Sequence, residues 1–179
     1  MIALLAGGAV VAVVAALLAV GLARGGGDKT TIVKGTSLDG TTPLPAIAGT
    51  ELGNGRRLSL ASFRGRPLII NLWASWCIPC RREAPAIRRF TAENPRIAFV
   101  GIDVNNDRGD ARAFARRAGW THPSLYDPNG QIAERLDIVG LPSTIYVDAA
   151  GRVRGRTPGE INYALLTGVG HRLEAGSGG

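Results

Sequence analysis

Three kinds of hydrophobic run follow one another along this chain. The first, Met1 to Ala23, holds no charged side chain and is long enough to cross a bilayer as a helix. The second kind is short and nearly all apolar. Leu68-Ile69-Ile70-Asn71-Leu72-Trp73, entered from Pro67, lacks the alternation of a strand with one wet face and is predicted to be a buried strand, central and parallel, and Ile97 to Val104 is the next buried strand. The third kind has helical spacing. Ala84, Ile87 and Phe90 fall on one face of a helix after Cys80, with Arg81, Arg82, Arg88 and Arg89 on the solvated face and Pro85 expected to kink it.

Weaker signals fill the gaps. Gly53-Asn54-Gly55 splits the apolar pieces between Leu44 and Leu60 and predicts a hairpin, followed by a short helical turn over residues 61–66. Asp107 to Ala118 reads as a helix with Phe114 inward, Arg112, Arg116 and Arg117 outward, and Gly119 as its stop. Ser124-Leu125-Tyr126 is a short strand candidate and Gln131 to Leu136 a short helix. An apolar strand follows Pro142, Val153 to Arg156 should pair antiparallel with it, and Glu160 to Leu173 closes the chain as a helix. Strands alternating with helical crossovers imply a parallel sheet covered on both faces.

Length and charge narrow this picture. The 179 residues suit one domain and an extension. We assign residues 1–23 to a membrane anchor, 24–42 to a Gly-, Thr- and Lys-rich flexible tether, 43–174 to the domain and 175–179 to a frayed tail. A domain of roughly 130–140 residues buries close to 70% of its unfolded surface, so it needs no disulfide staple. The formal charge is +7, yet the only lysines are Lys29 and Lys34, and the arginines are spread along the chain without interleaved aromatics. That pattern argues for base composition of the genome and against a nucleic-acid surface.

The only two cysteines stand in Trp76-Cys77-Ile78-Pro79-Cys80. A structural zinc needs four protein ligands, and His122 and His171 lie far from the pair in no finger-like spacing. His122, beside Pro123, reads as a surface histidine, and Asp103, Asp107 and Asp110 read as caps and loop solvation without the spacing of a calcium loop. A staple across so short a loop stabilises little. Reversible thiol–disulfide exchange remains the strongest reading. Cys77 falls where a buried strand ends and a helix begins, and the helix terminus there favours a thiolate by roughly 0.3–2 kcal/mol, on the order of one pKa unit. Pro79 suits the first helical turn, and Cys80, one turn in, should be the more buried thiol.

Trp73-Ala74-Ser75-Trp76-Cys77-Ile78-Pro79-Cys80-Arg81-Arg82-Glu83-Ala84-Pro85 and the later Leu141-Pro142 together resemble the thioredoxin superfamily, and within it the membrane-anchored TlpA/ResA-type oxidoreductases. The resemblance covers roughly Pro43 to Arg172. It implies an α/β thioredoxin-like fold: a central mixed sheet with helices on both faces, an N-terminal hairpin, a central insertion between Cys80 and Pro142, and one transmembrane helix in front. It also implies a cis bond before Pro142, leaving the Leu141 backbone as an edge for a substrate chain, so Trp76, Ile78, Pro79, Leu141 and Pro142 are candidate substrate contacts. Ordinary thioredoxin carries a buried aspartate where Asn71 stands. The anchored subfamily instead places a glutamate three residues after the second cysteine, which Glu83 matches. Glu83 is either a proton-transfer group for Cys80 or a first-turn glutamate favoured by the helix dipole.

The resulting expectation is a protein thiol–disulfide oxidoreductase. Cys77 is the nucleophile and Cys80 the resolving thiol. It needs no cofactor beyond the redox-active Cys77–Cys80 disulfide and no metal. Its partners would be protein thiols or disulfides and a membrane electron donor. The resemblance implies reduction outside the membrane, as in cytochrome c maturation. Arg24, Lys29 and Lys34 would by themselves place the domain inside the cell, and a cleaved signal peptide rivals the anchor. The dithiol and the resemblance favour a single-pass anchor with the domain on the extracytoplasmic side of the cell membrane. A disulfide-donating oxidase, a copper-chaperone-like module requiring His122, and a peroxidase of the peroxiredoxin kind are the alternatives.

Overall fold

The computed structural model of the protein describes residues 37–176. The expected anchor, most of the expected tether and the last three residues lie outside them. Among the described residues no helix is long and apolar enough to cross a membrane.

In chain order the elements are β1 (Thr42–Pro43), β2 (Ala48–Thr50), β3 (Arg57–Ser59), a 3-10 turn (Leu60–Phe63), β4 (Leu68–Trp73), α1 (Ile78–Glu93), β5 (Ala98–Val104), α2 (Arg108–Ala118), β6 (Ser124–Asp127), α3 (Gln131–Arg135), β7 (Ser143–Val147), β8 (Arg152–Pro158) and α4 (Tyr163–Ala175). The main sheet is mixed, in the order β1-β8-β7-β4-β5-β6. Strands β4, β5 and β6 are parallel, as the helical crossovers require, while β7 and β8 run antiparallel. This is a thioredoxin-like α/β architecture. The α2–β6 excursion occupies the stretch expected to hold the central insertion, and it places β6 at the sheet edge.

Strand β4 explains its own sequence. All six of its residues are buried. Leu68, Ile70 and Leu72 enter one apolar cluster with Val100, Ile102 and Ile145, while Ile69 enters a second with Ile87, Phe90 and Phe99 on the opposite face. Trp73 joins a third cluster that also holds Cys77, Cys80, Ala84 and Phe114. Burying the five apolar side chains of β4 contributes on the order of 10 kcal/mol before entropy is counted. Alternation is absent because neither face is wet.

Three boundaries differ from the sequence expectation. The tether does not run free to residue 42. Thr42 pairs with Val153, Gly40 N donates to Arg154 O at 2.9 Å, and Arg154 Nε donates to Leu38 O at 3.2 Å. A side chain at Gly40 would meet Val153 O at 2.7 Å, so that close approach requires glycine. The β2–β3 connection is longer than an Asn-Gly turn. Glu51 organises it by accepting from Gly53 N and Asn54 N. The closing helix starts at Tyr163, capped by Asn162, which leaves Glu160 free to pair with Arg82 at 2.7 Å. Helix α1 continues through Pro85 as one element.

Gly101 in β5 sits where a methyl group would meet Trp73 Nε1 at 2.6 Å and press on Ser124. Gly101→Ala should therefore cost about 1–3 kcal/mol of overpacking. Gly168→Ala, at an exposed position of α4 with open space around it, should be neutral or stabilising by up to about 1 kcal/mol. Urea unfolding of the two variants checks the contrast.

Candidate functional site

Cys77 is the N-cap of α1, the position that strand exit and helix entry predicted for it. Its Sγ accepts from Cys80 N at 3.3 Å, and its own N–H donates to Ala74 O at 3.2 Å. Cap and helix N-terminus together offer an anion at Sγ one aligned donor and a favourable dipole. Cys77 and Cys80 form a disulfide with Cα atoms 5.3 Å apart. The little surface this bridge shows belongs to Cys77, 4% exposed against 0% for Cys80.

Around the bridge the chain turns apolar side chains outward. Trp76 is 56% exposed, Ile78 65% and Val139 fully so, and these are the large hydrophobic residues left exposed among those described. Trp76 is held by donating Nε1 to Asn105 O at 3.0 Å. Trp76, Val139 and Leu141 line one cleft of about 410 Å³, and Leu141 also packs against the cluster that contains both cysteines. Pro79 is half-buried. The Leu141–Pro142 bond is cis and Pro142 is buried. The sequence pointed to Trp76, Ile78, Leu141 and Pro142. Val139 it missed, because an exposed valine has no signal in a chain this rich in apolar residues.

Glu83 is not a solvated first-turn glutamate. It is 1% exposed, three residues beyond Cys80 and on the same face of α1. Asn71 Nδ2 donates to its Oε1 at 2.9 Å and Ile161 N to its Oε2 at 3.0 Å. Asn71 Nδ2 also reaches Thr144 Oγ1 at 3.2 Å across the β4–β7 pair. Burial raises the carboxyl from 4.5 to about 7 in spite of both hydrogen bonds, and the nearby Glu160 charge adds to the rise. No cation pairs with it among the described ion pairs.

Comparison with known proteins places this geometry. Residues 41–156 match the profile of the AhpC/TSA family. The chain belongs to the AhpC/TSA family. Family relatives include the thiol:disulfide interchange protein DsbE of Pseudomonas fluorescens biotype C, 30% identical over 126 residues, which cover 69% of this chain and 68% of that one. The thiol-disulfide oxidoreductase ResA of Geobacillus thermodenitrificans is 27% identical over 129 residues, covering 71% and 70%. Two further DsbE relatives are spanned over only 64 and 65% of their length. A solved secreted thiol-disulfide isomerase from Corynebacterium glutamicum superposes with a TM-score of 0.67 at 30% identity, covering 73% of this chain and 84% of that one. As a family member of this group, the chain is a protein thiol–disulfide oxidoreductase with the thioredoxin fold.

Two sequence readings need correction. Asp103 is neither a cap nor a solvated loop residue. It lies in β5 with no exposure, and burial raises it from 3.8 to about 7, with Asp127 and Asp107 contributing. Its signal was present as one charge inside an apolar run. His122 is not a surface histidine. Its ring packs on Phe99 and Trp120 at 4.7 and 4.9 Å, both ring nitrogens are buried without a partner, and desolvation lowers its pKa to about 4. Asp107 is indeed the cap of α2 and Asp110 lies in its first turn.

A carboxyl raised on folding stabilises the native state fully below its unfolded pKa and loses that contribution as pH rises through its folded pKa. For Glu83 the window runs from about 4.5 to about 7, and its shift corresponds to roughly 3 kcal/mol. Stability should therefore fall across this window, and Glu83→Gln should reduce the fall by about that amount. Urea titrations at a series of pH values measure it.

Proposed function

We propose that this enzyme is anchored by residues 1–23 in the cell membrane, stands on the extracytoplasmic side, and reduces disulfides of partner proteins. The reduced Cys77 thiolate attacks one sulfur of a substrate disulfide. The substrate S–S bond breaks, its second sulfur leaves as a thiolate and takes up a proton, and Cys77 is joined to substrate. Glu83 in its ionised form then takes the proton of Cys80, whose sulfur attacks Cys77 Sγ and breaks its bond to the substrate sulfur, which leaves as a thiolate and is protonated from solvent. The substrate is released with two electrons gained, and the Cys77–Cys80 disulfide results. A membrane electron donor protein returns the pair to the dithiol.

The observation that carries this reading is the closed Cys77–Cys80 bridge at the helix cap, with a buried carboxyl that titrates near neutral pH one turn behind Cys80 and exposed apolar side chains around the bridge. Trp76, Ile78, Pro79, Leu141 and Pro142 are proposed to receive an extended substrate segment, the backbone of Leu141 pairing with it. The direction of flow, the location and a substrate such as apocytochrome c rest on the resemblance to anchored reductants. The copper alternative requires His122, whose ring is closed in between Phe99 and Trp120.

Two measurements test the proposal. A Cys77–Cys80 reduction potential near or below about −250 mV supports the reductant, and one near about −120 mV overturns the direction in favour of a disulfide donor. Cys80→Ser should accumulate a mixed disulfide between Cys77 and its partner, while Cys77→Ser should lose exchange altogether. Accumulation through Cys80 in the Cys77→Ser variant would reverse the two roles.

A further inference from the structure

A second buried acid lies in β5, on the other side of β4 from β7 and Thr144, and a chain of hydrogen bonds leads from it to the turn before Cys77. Ser75 Oγ donates to Asn106 Oδ1 at 2.8 Å, and Asn106 Nδ2 donates to Asp103 Oδ1 at 2.7 Å. All three residues are buried. The same loop holds the turn once more and is itself tied to β6. Asn105 O receives Trp76 Nε1, and Tyr126 OH reaches Asn106 O at 3.3 Å. From the other side Arg81 Nε donates to Ser75 O at 2.6 Å. Ser75 is thus fixed at both its side chain and its carbonyl, two residues before the cysteine that caps α1. Asn105 adopts a left-handed backbone, φ 49°, which a non-glycine residue takes up at a cost and which recurs at functional sites. Asp103 Oδ2 is buried without a partner.

We propose that Asp103 is a positioning residue for thiol exchange: acting through Asn106 and Ser75, its carboxylate holds the Ala74–Cys77 turn and thereby sets the approach of the Cys77 sulfur. The proposal deepens the oxidoreductase reading and rests on it. The chain has one polarity, every donor pointing toward Asp103, so its strength depends on the acceptor at its end. A carboxylate accepts more strongly than a neutral carboxyl, and hydrogen bonds in series polarise one another. The carboxyl changes state near neutral pH, which makes the hold on the turn pH-dependent. The groups around it are few. Trp73 and Tyr126 are its register partners on β4 and β6. Asp127, at the end of β6, is bonded to Ile132 N and Ala133 N, and Asp107 caps α2. Arg108 is turned to Glu51 O and the Tyr126 ring. Asp103 itself belongs to none of the described ion pairs.

The test follows alkylation of Cys77 in the reduced full-length protein in detergent, with Cys80→Ser in every sample and rates divided by the thiolate fraction. Asp103→Asn keeps the shape and one acceptor oxygen but cannot ionise. Its rate should match the parent at about pH 5.5 and fall below it at about pH 8.5 by roughly fivefold, the net size of one hydrogen bond. Ser75→Ala cuts the chain at its far end and should show the same loss at the higher pH. The double variant should be no slower than either single one. Equal losses at both pH values, no loss at either, or additive losses in the double variant would each overturn the role of Asp103. Alkylation needs no partner protein, so failure here is distinct from failure of the Cys77–Cys80 pair to equilibrate with thiol–disulfide buffers, which would remove the oxidoreductase reading itself.

Discussion

A strand buried on both faces must leave the sheet abruptly, and in this protein it leaves into a helix whose first turn is held by a cysteine sulfur. That junction constrains everything else. The six buried residues of β4 fix where the chain emerges, and Cys77 completes the first turn of α1 by accepting from Cys80 N. The cap, the dipole and the disulfide all act at one atom. Helix α1 is in turn fixed by Ala84, Ile87 and Phe90 against the sheet, so the sulfur inherits the rigidity of the core.

Two polar clusters of the interior flank the active-site turn. Asn71, Glu83 and Thr144 lie on one flank of the site, and Ser75, Asp103 and Asn106 on the other. Each group contains a carboxyl without a cation. Burying an ionised carboxylate costs far more than burying a neutral one, so both acids stay protonated up to about neutral pH. A fold selected for stability alone would place hydrophobic side chains at these positions. The two carboxyls serve different needs: Glu83 stands one turn behind Cys80 on its own helix, whereas Asp103 reaches the active-site turn only through Asn106 and Ser75.

Much of this was legible in the sequence, for reasons that differ by element. Strands β4 and β5 were legible because burial on both faces leaves an unbroken apolar run, and α1 because its arginines and apolar residues separate at helical spacing. The cysteine pair was legible because it has few chemical uses. What stayed hidden depends on contacts made across the chain. Thr42 looks like linker until β8 offers it a partner 111 residues later. His122 beside Pro123 looks exposed until Phe99 and Trp120 close over it. The role of Glu83 was left open between two readings because helix position alone does not say whether a side chain meets water or Asn71. Asp103 was misread since a lone charge in an apolar run can be either an interruption or a buried group, and only the neighbouring strands decide.

The exposure pattern at the rim bears on what this dithiol is able to meet. The disulfide is almost entirely covered, yet Trp76, Ile78 and Val139 stand open around it. A small thiol would gain nothing from such a rim, whereas a polypeptide would bury apolar area there before its own sulfur came within reach of Cys77. A folded partner with its disulfide in the interior would be held off by the same three side chains. On the proposed reading, a substrate whose cysteines lie in an extended or unfolded segment would enter between Trp76 and Leu141 and lie along the backbone edge there. Selection by accessibility and non-directional apolar contact would then let one enzyme serve several proteins that share only exposed cysteines.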